Sequence, residues 1–145
     1  MKLFQEFNET MTAFGSGYFY ILLLIILFRF NFDLAIKLLL VLIFVELISG
    51  GIKLVYHKPR PIQRKNQTIF ERWDAGSFPS LHTARITAIA ITLNYAFFDP
   101  IIAILSVFLV IGVGYSRIYL KHHYLIDVIA GFLIGLIIGI GGIFI

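Results

Sequence analysis

The sequence predicts an all-α protein, a multi-pass bundle of transmembrane helices. Of its 145 residues, 59% are hydrophobic and 14% are charged, and the mean hydropathy is +0.92. Soluble domains are roughly 45–50% apolar and about 25% charged, so this composition is typical of a membrane protein. Apolar stretches long enough to cross a bilayer recur along the chain. The length fits a single membrane-embedded domain, residues 1–145.

Five apolar stretches have about the 20 residues that a helix needs to cross the hydrocarbon core. They are residues 14–30, 34–56, 82–98, 100–117 and 124–145. Asp99-Pro100 predicts a tight turn between the third and fourth stretches, because proline disfavours helix in the residue before it. The fifth stretch carries a glycine at every fourth position, at 131, 135 and 139. Such a ridge of small residues allows another helix to approach closely, which predicts packing and no chemistry.

Residues 1–15 are predicted to form an amphipathic helix at the membrane interface. Its apolar face would consist of Leu3, Phe4, Phe7 and Met11. A frayed terminus is the alternative interpretation.

The positive charges indicate an anionic ligand at one end of the bundle. The net charge is +4, which suits nucleic acid, anionic lipid or an anionic substrate. The charges concentrate in two loops, residues 57–80 and 116–123, which five spans place on the same membrane face. Basic loops at the face of a membrane-embedded bundle favour an anionic lipid or an anionic substrate, and no nucleic acid. The absence of cysteine excludes disulfides and thiolate metal sites.

Two motifs in and beside the longer loop supply cations and an anion-binding helix end. Lys53 is followed, after six residues, by Arg60-Pro61, and prolines on both sides of Arg60 keep it in an extended segment. Ser80, in Pro79-Ser80-Leu81-His82, is a good N-cap for the third span, where first-turn amides attract anions. If each motif is considered alone, Lys53 and Arg60 are explained as basic anchors at the membrane boundary. The residues around Ser80 are explained as an ordinary capped helix.

The third motif is the strongest single indication of chemistry. It consists of Ser116-Arg117, five residues, His123, three residues and Asp127. A histidine and an aspartate four residues apart share one helix face. An aspartate that accepts a hydrogen bond from one ring nitrogen leaves the other nitrogen free to attack. Asp127 also lies within an apolar helix, where an ionisable residue is costly and usually functional.

In this order, the three motifs resemble the signature of the type 2 phosphatidic acid phosphatase superfamily, which is related to vanadium haloperoxidases. The resemblance covers about residues 45–140. It implies a metal-independent and cofactor-free phosphatase that acts on a membrane lipid. It also implies roles: phosphate binding by Lys53, Arg60, Ser80 and Arg117, nucleophilic attack by His123 to form a phosphohistidine, orientation by Asp127 and proton donation to the leaving oxygen by His82.

One position departs from the family pattern, because Leu81 occupies the place of a glycine whose amide is expected to bind phosphate. Leu81 retains that amide, although only glycine adopts a positive φ at low cost. A leucine here also resembles the branch containing lipid phosphotransferases, so transfer to an alcohol is an alternative to hydrolysis. Candidate substrates are polyprenyl diphosphate, phosphatidic acid and phosphatidylglycerophosphate.

Two further functions compete with the phosphatase. A non-catalytic scaffold that binds anionic lipid explains the basic loops but not the histidines. A metal site built from His82, His123 and Asp127 would have the composition of a two-histidine, one-carboxylate triad. Three cations converging on the same place would repel the metal. A soluble haloperoxidase is excluded by the apolar spans.

Glu46 and the orientation of the protein complete the predictions. Glu46 lies inside the second span, on nearly the same helix face as Lys53, and either supports that lysine or pairs with another helix; we favour pairing. Ten lysines and arginines fall on the face of the two loops and two, Arg29 and Lys37, on the other, which by the positive-inside rule indicates the cytoplasm. Many family members instead face the exterior. We therefore slightly favour an active site at the extracytoplasmic boundary of the cell membrane.

Overall fold

The fold of the chain, described by a computed structural model for residues 2–62 and 76–145, is helical throughout. Within these ranges there is no β-strand. The helices are α1 (Lys2–Ala13), α2 (Gly17–Phe30), α3 (Phe32–Val55), α4 (Leu81–Phe97), α5 (Pro100–Tyr119) and α6 (Leu125–Gly141), with a final 3₁₀ turn at Gly142–Phe144. The predicted all-α bundle is confirmed. Most of the long polar loop, including Arg64, Lys65 and Arg72, lies outside the described residues.

Each of the five predicted spans contains a helix, but the helices differ in length. Three are long and apolar enough to cross a membrane: Phe32–Val55, Pro100–Tyr119 and Leu125–Phe144. Helices α2 and α4 have 14 and 17 residues, which rise only about 21 and 26 Å at 1.5 Å per residue. Helices α1 and α2 pass the same test as a pair, bent by 51° at the break between them. The count of about five spans therefore remains a prediction.

Polar side chains fix where several helices begin. Asp99 accepts hydrogen bonds from the amides of Ile101 and Ile102, at 2.7 and 3.1 Å, and Pro100 is the first residue of α5. Helix α4 ends just before Phe98, whose φ is +50°. The predicted turn at Asp99-Pro100 is confirmed. Asn31 caps α3 in the same way, accepting from the amide of Leu34 at 3.1 Å.

Helix α1 packs along α5 with a buried face that differs from the predicted apolar one. Met11 is buried, and Phe4 makes an edge-to-face contact with Tyr119 at a centroid distance of 5.1 Å. Leu3, however, is 80% exposed, whereas Asn8 is buried and donates from its side-chain amide to the Phe4 carbonyl. The segment is therefore an ordered helix, and its location at the interface remains a prediction.

The close contact between α4 and α6 is made by the predicted glycine ridge. A Cβ on Gly131 would overlap the carbonyl oxygen of Ser80, and one on Gly135 would overlap that of Ala84. On Gly139 it would lie 2.9 Å from the Cβ of Ile91. The three glycines thus bring the backbones of two helices together at every turn, and they place the start of α4 directly against α6.

Apolar side chains on three helices form the core around this contact. One cluster joins α3 and α4 and is covered by α6; its buried members are Val41, Val45, Leu81, Ala84 and Ala88. A second cluster, formed mainly by leucines of α2 and α3, packs against Ile89 of α4. The central helix α4 is therefore held on several sides.

Replacement of Gly135 should test the ridge. We expect Gly135→Ala to lower the thermal unfolding temperature of the detergent-solubilised protein, because the added methyl group collides with the backbone of α4. Gly51 is the matched control: it lies inside α3, and nothing stands within 4 Å of an added Cβ. Since alanine favours helix over glycine by about 1 kcal/mol, Gly51→Ala should be neutral or stabilising. Equal unfolding temperatures for both variants would contradict the packing described.

Candidate active site

The three signature motifs meet at one end of the bundle, where α3 and α5 end and α4 and α6 begin. One backbone hydrogen bond joins the second motif to the third, and another closes the loop within the third motif. The amide of Ser80 donates to the carbonyl of Asp127 at 2.8 Å, and the amide of His123 donates to the carbonyl of Arg117 at 3.1 Å. These two bonds therefore fix the positions of the polar residues at the helix ends relative to one another.

His123 is buried and has a defined tautomer. Its Nδ1 lies 2.6 Å from the backbone carbonyl oxygen of Ser77. Because a carbonyl oxygen can only accept, Nδ1 carries the hydrogen and the lone pair resides on Nε2. The sequence predicted Asp127 as the hydrogen-bond acceptor, but its Oδ2 is 3.8 Å from Nδ1. The ring is thus oriented by a backbone group, and the carboxylate acts on it from a longer distance.

Asp127 is fully buried and its two oxygens have other partners. Oδ1 accepts from Lys58 Nζ at 2.6 Å, and Oδ2 accepts from the amide of Tyr124 at 2.8 Å. The second bond closes the first turn of α6, where a carboxylate also suits the helix dipole. Asp127 therefore fixes the start of α6 as well as placing a negative charge beside His123.

Two residues of the site, Lys58 and Ser77, were not predicted from the sequence. Lys58 also lies 4.5 Å from the centroid of the Tyr124 ring. The amide of Ser77 donates to the carbonyl of Lys58 at 2.8 Å, and its hydroxyl donates to that of Pro59 at 3.1 Å. Both ends of the long loop are tied together by these bonds. In the sequence, Lys58 is one of several basic residues in the loop, and nothing distinguishes it from the others. Ser77 acts through its backbone carbonyl, which every residue has, so the sequence does not identify it.

Three predicted phosphate-binding cations lie near His123. Lys53 is 2% exposed, and a Cβ added to Gly76 would lie 3.8 Å from its Cβ and Cγ. Arg117 is 4% exposed, and its Nη1 donates to the hydroxyl of Thr12 at 2.8 Å. Arg60 is half-buried at the opposite side of the first motif. Cations on separate segments around one buried histidine are suited to hold an anion.

The surroundings of His123 lower its pKa from 6.5 to about 4. Burial is the largest cause, because it disfavours the charged imidazolium. Asp127 acts in the opposite direction, and the positive charges of Arg117, Lys53 and Arg60 lower the pKa further. His123 is therefore neutral near pH 7, as a nucleophile must be.

Ser80 and Leu81 lie at the start of α4, Ser80 as the extended residue before the helix and Leu81 as the first helical residue. Ser80 is the N-cap, as predicted, but its hydroxyl bonds with that of Thr83 at 3.0 Å. Its own amide is used by Asp127. Leu81 begins the helix with a normal helical backbone, so this position requires no positive φ and no glycine. The Leu81 side chain is buried in the core cluster of α3 and α4.

His82 lies in the first turn of α4 and faces the corner between α1 and α2. It is half-buried, and a Cβ on Gly15 would stand 2.7 Å from the Cβ of His82. Only a glycine allows the two backbones to approach this closely.

Glu46 pairs with another helix, in accordance with one of its two predicted roles. Its carboxylate accepts from Arg85 Nε at 2.5 Å, which links α3 to α4. The Arg85 guanidinium also lies over the ring of Tyr20, 5.4 Å from its centroid. This pair lies half-buried between helices, where each charge compensates the other.

The alternative metal triad is not assembled. Across residues 2–62 and 76–145, no three or more His, Cys, Asp or Glu side chains group in a way that could hold a metal ion. His82, His123 and Asp127 therefore do not converge as ligands.

The family of the chain follows from comparison with known proteins. Residues 34–143 match the family model of the PAP2 superfamily. The chain belongs to this superfamily, as the three motifs indicated. All the candidate site residues proposed from the sequence lie inside the matched region.

Individual relatives agree with this assignment. The undecaprenyl-diphosphatase BcrC of Bacillus subtilis is 36% identical over 89 residues, which are 61% of this chain and 45% of that protein. The matched region thus spans less than half of the relative's length. Aquifex aeolicus LpxE has a similar crystal structure, with a TM-score of 0.85 and 30% identity over 100% of this chain and 88% of that chain. A PAP2-type phosphatidylglycerolphosphate phosphatase from Bacillus subtilis shares the fold, with a TM-score of 0.80 at 24% identity over 98% and 76% of the two chains.

The state of His123 can be measured directly. In a ¹⁵N-imidazole NMR titration of the solubilised protein, one of the four histidines should remain neutral from pH 8 to pH 5, with its hydrogen on Nδ1. The reason is the lowered pKa of about 4 and the Ser77 carbonyl. His123→Ala should remove this signal, which assigns it.

The same pKa has a consequence for stability. The unfolded chain takes up the proton near pH 6.5 and the folded protein near pH 4, so the unfolding free energy should fall as the pH drops across this range. A histidine signal at His123 that titrates near 6.5 would contradict the buried environment described.

Proposed function

We propose that the protein is a membrane lipid phosphatase that hydrolyses a lipid phosphate monoester or diphosphate through a phosphohistidine. The observation that carries this proposal is the buried, neutral His123, with its Nδ1 on the Ser77 carbonyl and three cations around it. A ring held in this way offers one lone pair, on Nε2, to an anion that the cations bind. Membership of the PAP2 superfamily supports the same reaction.

In the first step, His123 Nε2 attacks the terminal phosphorus, and the bond from that phosphorus to the leaving oxygen breaks. That oxygen belongs to the lipid alcohol in a monoester and to the lipid phosphate in a diphosphate. The product is a phosphohistidine, and the departing oxygen receives a proton from His82. Lys53, Arg60 and Arg117 stabilise the charge on the other phosphate oxygens, because preorganised cations in a water-poor site act strongly on a transition state. Arginine binds two oxygens at once, whereas lysine acts as a point charge.

The imidazolium that forms on His123 is stabilised from two sides. The Nδ1 hydrogen is shared with the Ser77 carbonyl, and the Asp127 carboxylate stands 3.8 Å away. Lys58 holds that carboxylate in place through an ion pair of 2.6 Å. In the second step, water attacks phosphorus and gives a proton to His82, the bond from phosphorus to His123 Nε2 breaks, and inorganic phosphate leaves, which restores neutral His123 and protonated His82. No metal ion takes part in either step.

The substrate class we favour is a polyprenyl diphosphate. The support is the sequence similarity to a relative named for undecaprenyl diphosphate. A lipid of this kind presents its diphosphate at the bilayer boundary, where the motifs converge, while its chain stays among the apolar helices. Phosphatidic acid and phosphatidylglycerophosphate remain the substrates with which it should be compared.

The two histidines should respond differently to the leaving group. His123→Ala should abolish turnover of every substrate, since no other group makes the covalent bond. His82→Ala should reduce turnover of a lipid phosphate monoester, whose alkoxide leaving group has a high pKa, by about 10²–10⁴-fold, which is typical of a lost general acid. With p-nitrophenyl phosphate, whose leaving group is far more acidic, much of that loss should disappear. The measurement is kcat/KM for both variants on both substrates, in excess EDTA.

Controls and contrary outcomes are specific to each part of the mechanism. Solubilised size should show that both variants remain folded, and vanadate should inhibit the wild-type enzyme because it mimics five-coordinate phosphorus. Equal losses for His82→Ala on the two substrates would identify His82 as a phosphate ligand instead. Loss of wild-type activity in EDTA, restored by a divalent cation, would overturn the histidine mechanism.

We further propose that the active site faces the cell exterior. Ten lysines and arginines lie on the face of the two loops and two on the other face, but some of the ten have roles that are unrelated to membrane orientation. Five of the ten serve the site or a helix pair: Lys53, Lys58, Arg60, Arg85 and Arg117. Charges retained for such purposes carry little information about orientation, so the positive-inside rule is weakened.

Labelling of single cysteines should establish the orientation, and the chain contains no native cysteine that would interfere. His57 is exposed at the site end of α3, and Asp33 is exposed at the opposite end of the same helix. A membrane-impermeant maleimide should label His57→Cys in intact cells and Asp33→Cys only after permeabilisation. The reverse pattern would place the active site in the cytoplasm.

A further inference from the structure

The corner between α1 and α2 touches the site at two points that belong to different motifs. Thr12, near the end of α1, accepts a hydrogen bond from Arg117 Nη1 at 2.8 Å. Gly15, in the turn that follows, packs against the backbone and Cβ of His82. None of these N-terminal residues belongs to the three signature motifs. The helix that precedes the family domain thus forms one wall of the site.

We propose that Thr12 is a positioning residue that orients the guanidinium of Arg117 for the phosphate. This inference rests on the proposed function, in which Arg117 binds the transferred phosphoryl group. Arg117 is 4% exposed, so a small change in its rotamer moves a full charge within a confined space. A hydrogen bond at Nη1 fixes the plane of the guanidinium and thereby the direction of its remaining N–H groups.

A hydroxyl is well suited to this task because it is neutral. A carboxylate in its place would orient Arg117 equally well but would also compensate the charge, which weakens the attraction for an anion. Asp127 compensates the charge of Lys58 in this way, through a 2.6 Å ion pair. Thr12 instead holds Arg117 while leaving its charge for the substrate.

The position of Thr12 is itself fixed by packing. Met11, its neighbour, is buried against α5 at Gly112, and the contact of Gly15 with His82 ends the helix at a defined place. The Gly15 carbonyl also accepts from Arg85 Nη1 at 3.5 Å. The hydroxyl therefore approaches Arg117 from a rigid support.

The test compares Thr12→Val, which keeps the shape and removes the hydroxyl, with Thr12→Ser, which keeps the hydroxyl. We expect Thr12→Val to lower kcat/KM by about 10- to 150-fold, the range for one hydrogen bond to a charged group. The inhibition constant for vanadate should rise by a similar factor, because vanadate resembles the transition state. Thr12→Ser should retain both values. Thr12→Asp should weaken vanadate inhibition more than Thr12→Val does.

The vanadate measurement separates positioning from a structural effect. A variant that is merely less folded has a lower kcat, but its folded molecules bind vanadate as the wild type does. Thr10→Val is the matched control, since Thr10 lies on the same helix, is exposed and bonds only to the Glu6 carbonyl of that helix at 2.9 Å among the described residues. It should leave kcat/KM and vanadate inhibition unchanged. An unchanged vanadate constant in Thr12→Val would overturn the proposal.

A double-mutant cycle with Arg117→Lys identifies the residue through which Thr12 acts. A lysine lacks the planar group that Thr12 orients, so Thr12→Val should cause little further loss in that background. Independent, additive losses would overturn the proposal. Wild-type kinetics for Arg117→Lys and Arg117→Ala would instead refute the role of Arg117 in the proposed function. Impaired Arg117 variants beside a fully active Thr12→Val would refute only the role of Thr12.

Discussion

The site depends on the contact between the start of α4 and the start of α6. Without a side chain at Gly131, the backbone of α6 approaches Ser80 closely enough for the Ser80 amide to bond with the Asp127 carbonyl at 2.8 Å. This single approach fixes the helix that carries His82 relative to the turn that carries His123. Backbone atoms in van der Waals contact leave little freedom to either helix, so the two histidines inherit a rigid geometry.

Much of the fold and of the site was predictable from the sequence, for physical reasons. Apolar stretches must become helices in a bilayer, because every backbone polar group there needs an internal partner. Glycines at 131, 135 and 139 repeat with the period of the helix and so indicated its packing face. The spacing of Arg117, His123 and Asp127 likewise required a turn and a helix start, which placed them together. Family membership, inferred from the three motifs, is confirmed by the match over residues 34–143.

The remainder could not be predicted, because it depends on groups that a sequence does not mark. The acceptor for His123 is the carbonyl of Ser77, and every residue has a carbonyl. Lys58 is one of several loop cations, and only the folded chain selects it as the partner of Asp127. Thr12 is 105 positions from Arg117. Leu81 was compared with a glycine that its backbone does not need, since the helix begins at that residue.

The shortness of α2 has a consequence for the surrounding lipid. Its 14 residues rise about 21 Å, against a hydrocarbon core of about 30 Å. Such hydrophobic mismatch is relieved when the bilayer thins beside the helix. If α2 crosses the bilayer on its own, the α1–α2 corner, which contacts His82 and Arg117, lies beside this thinned region. The lipid phosphate of the proposed reaction would then reach the cations from the side, with its chains still in the membrane.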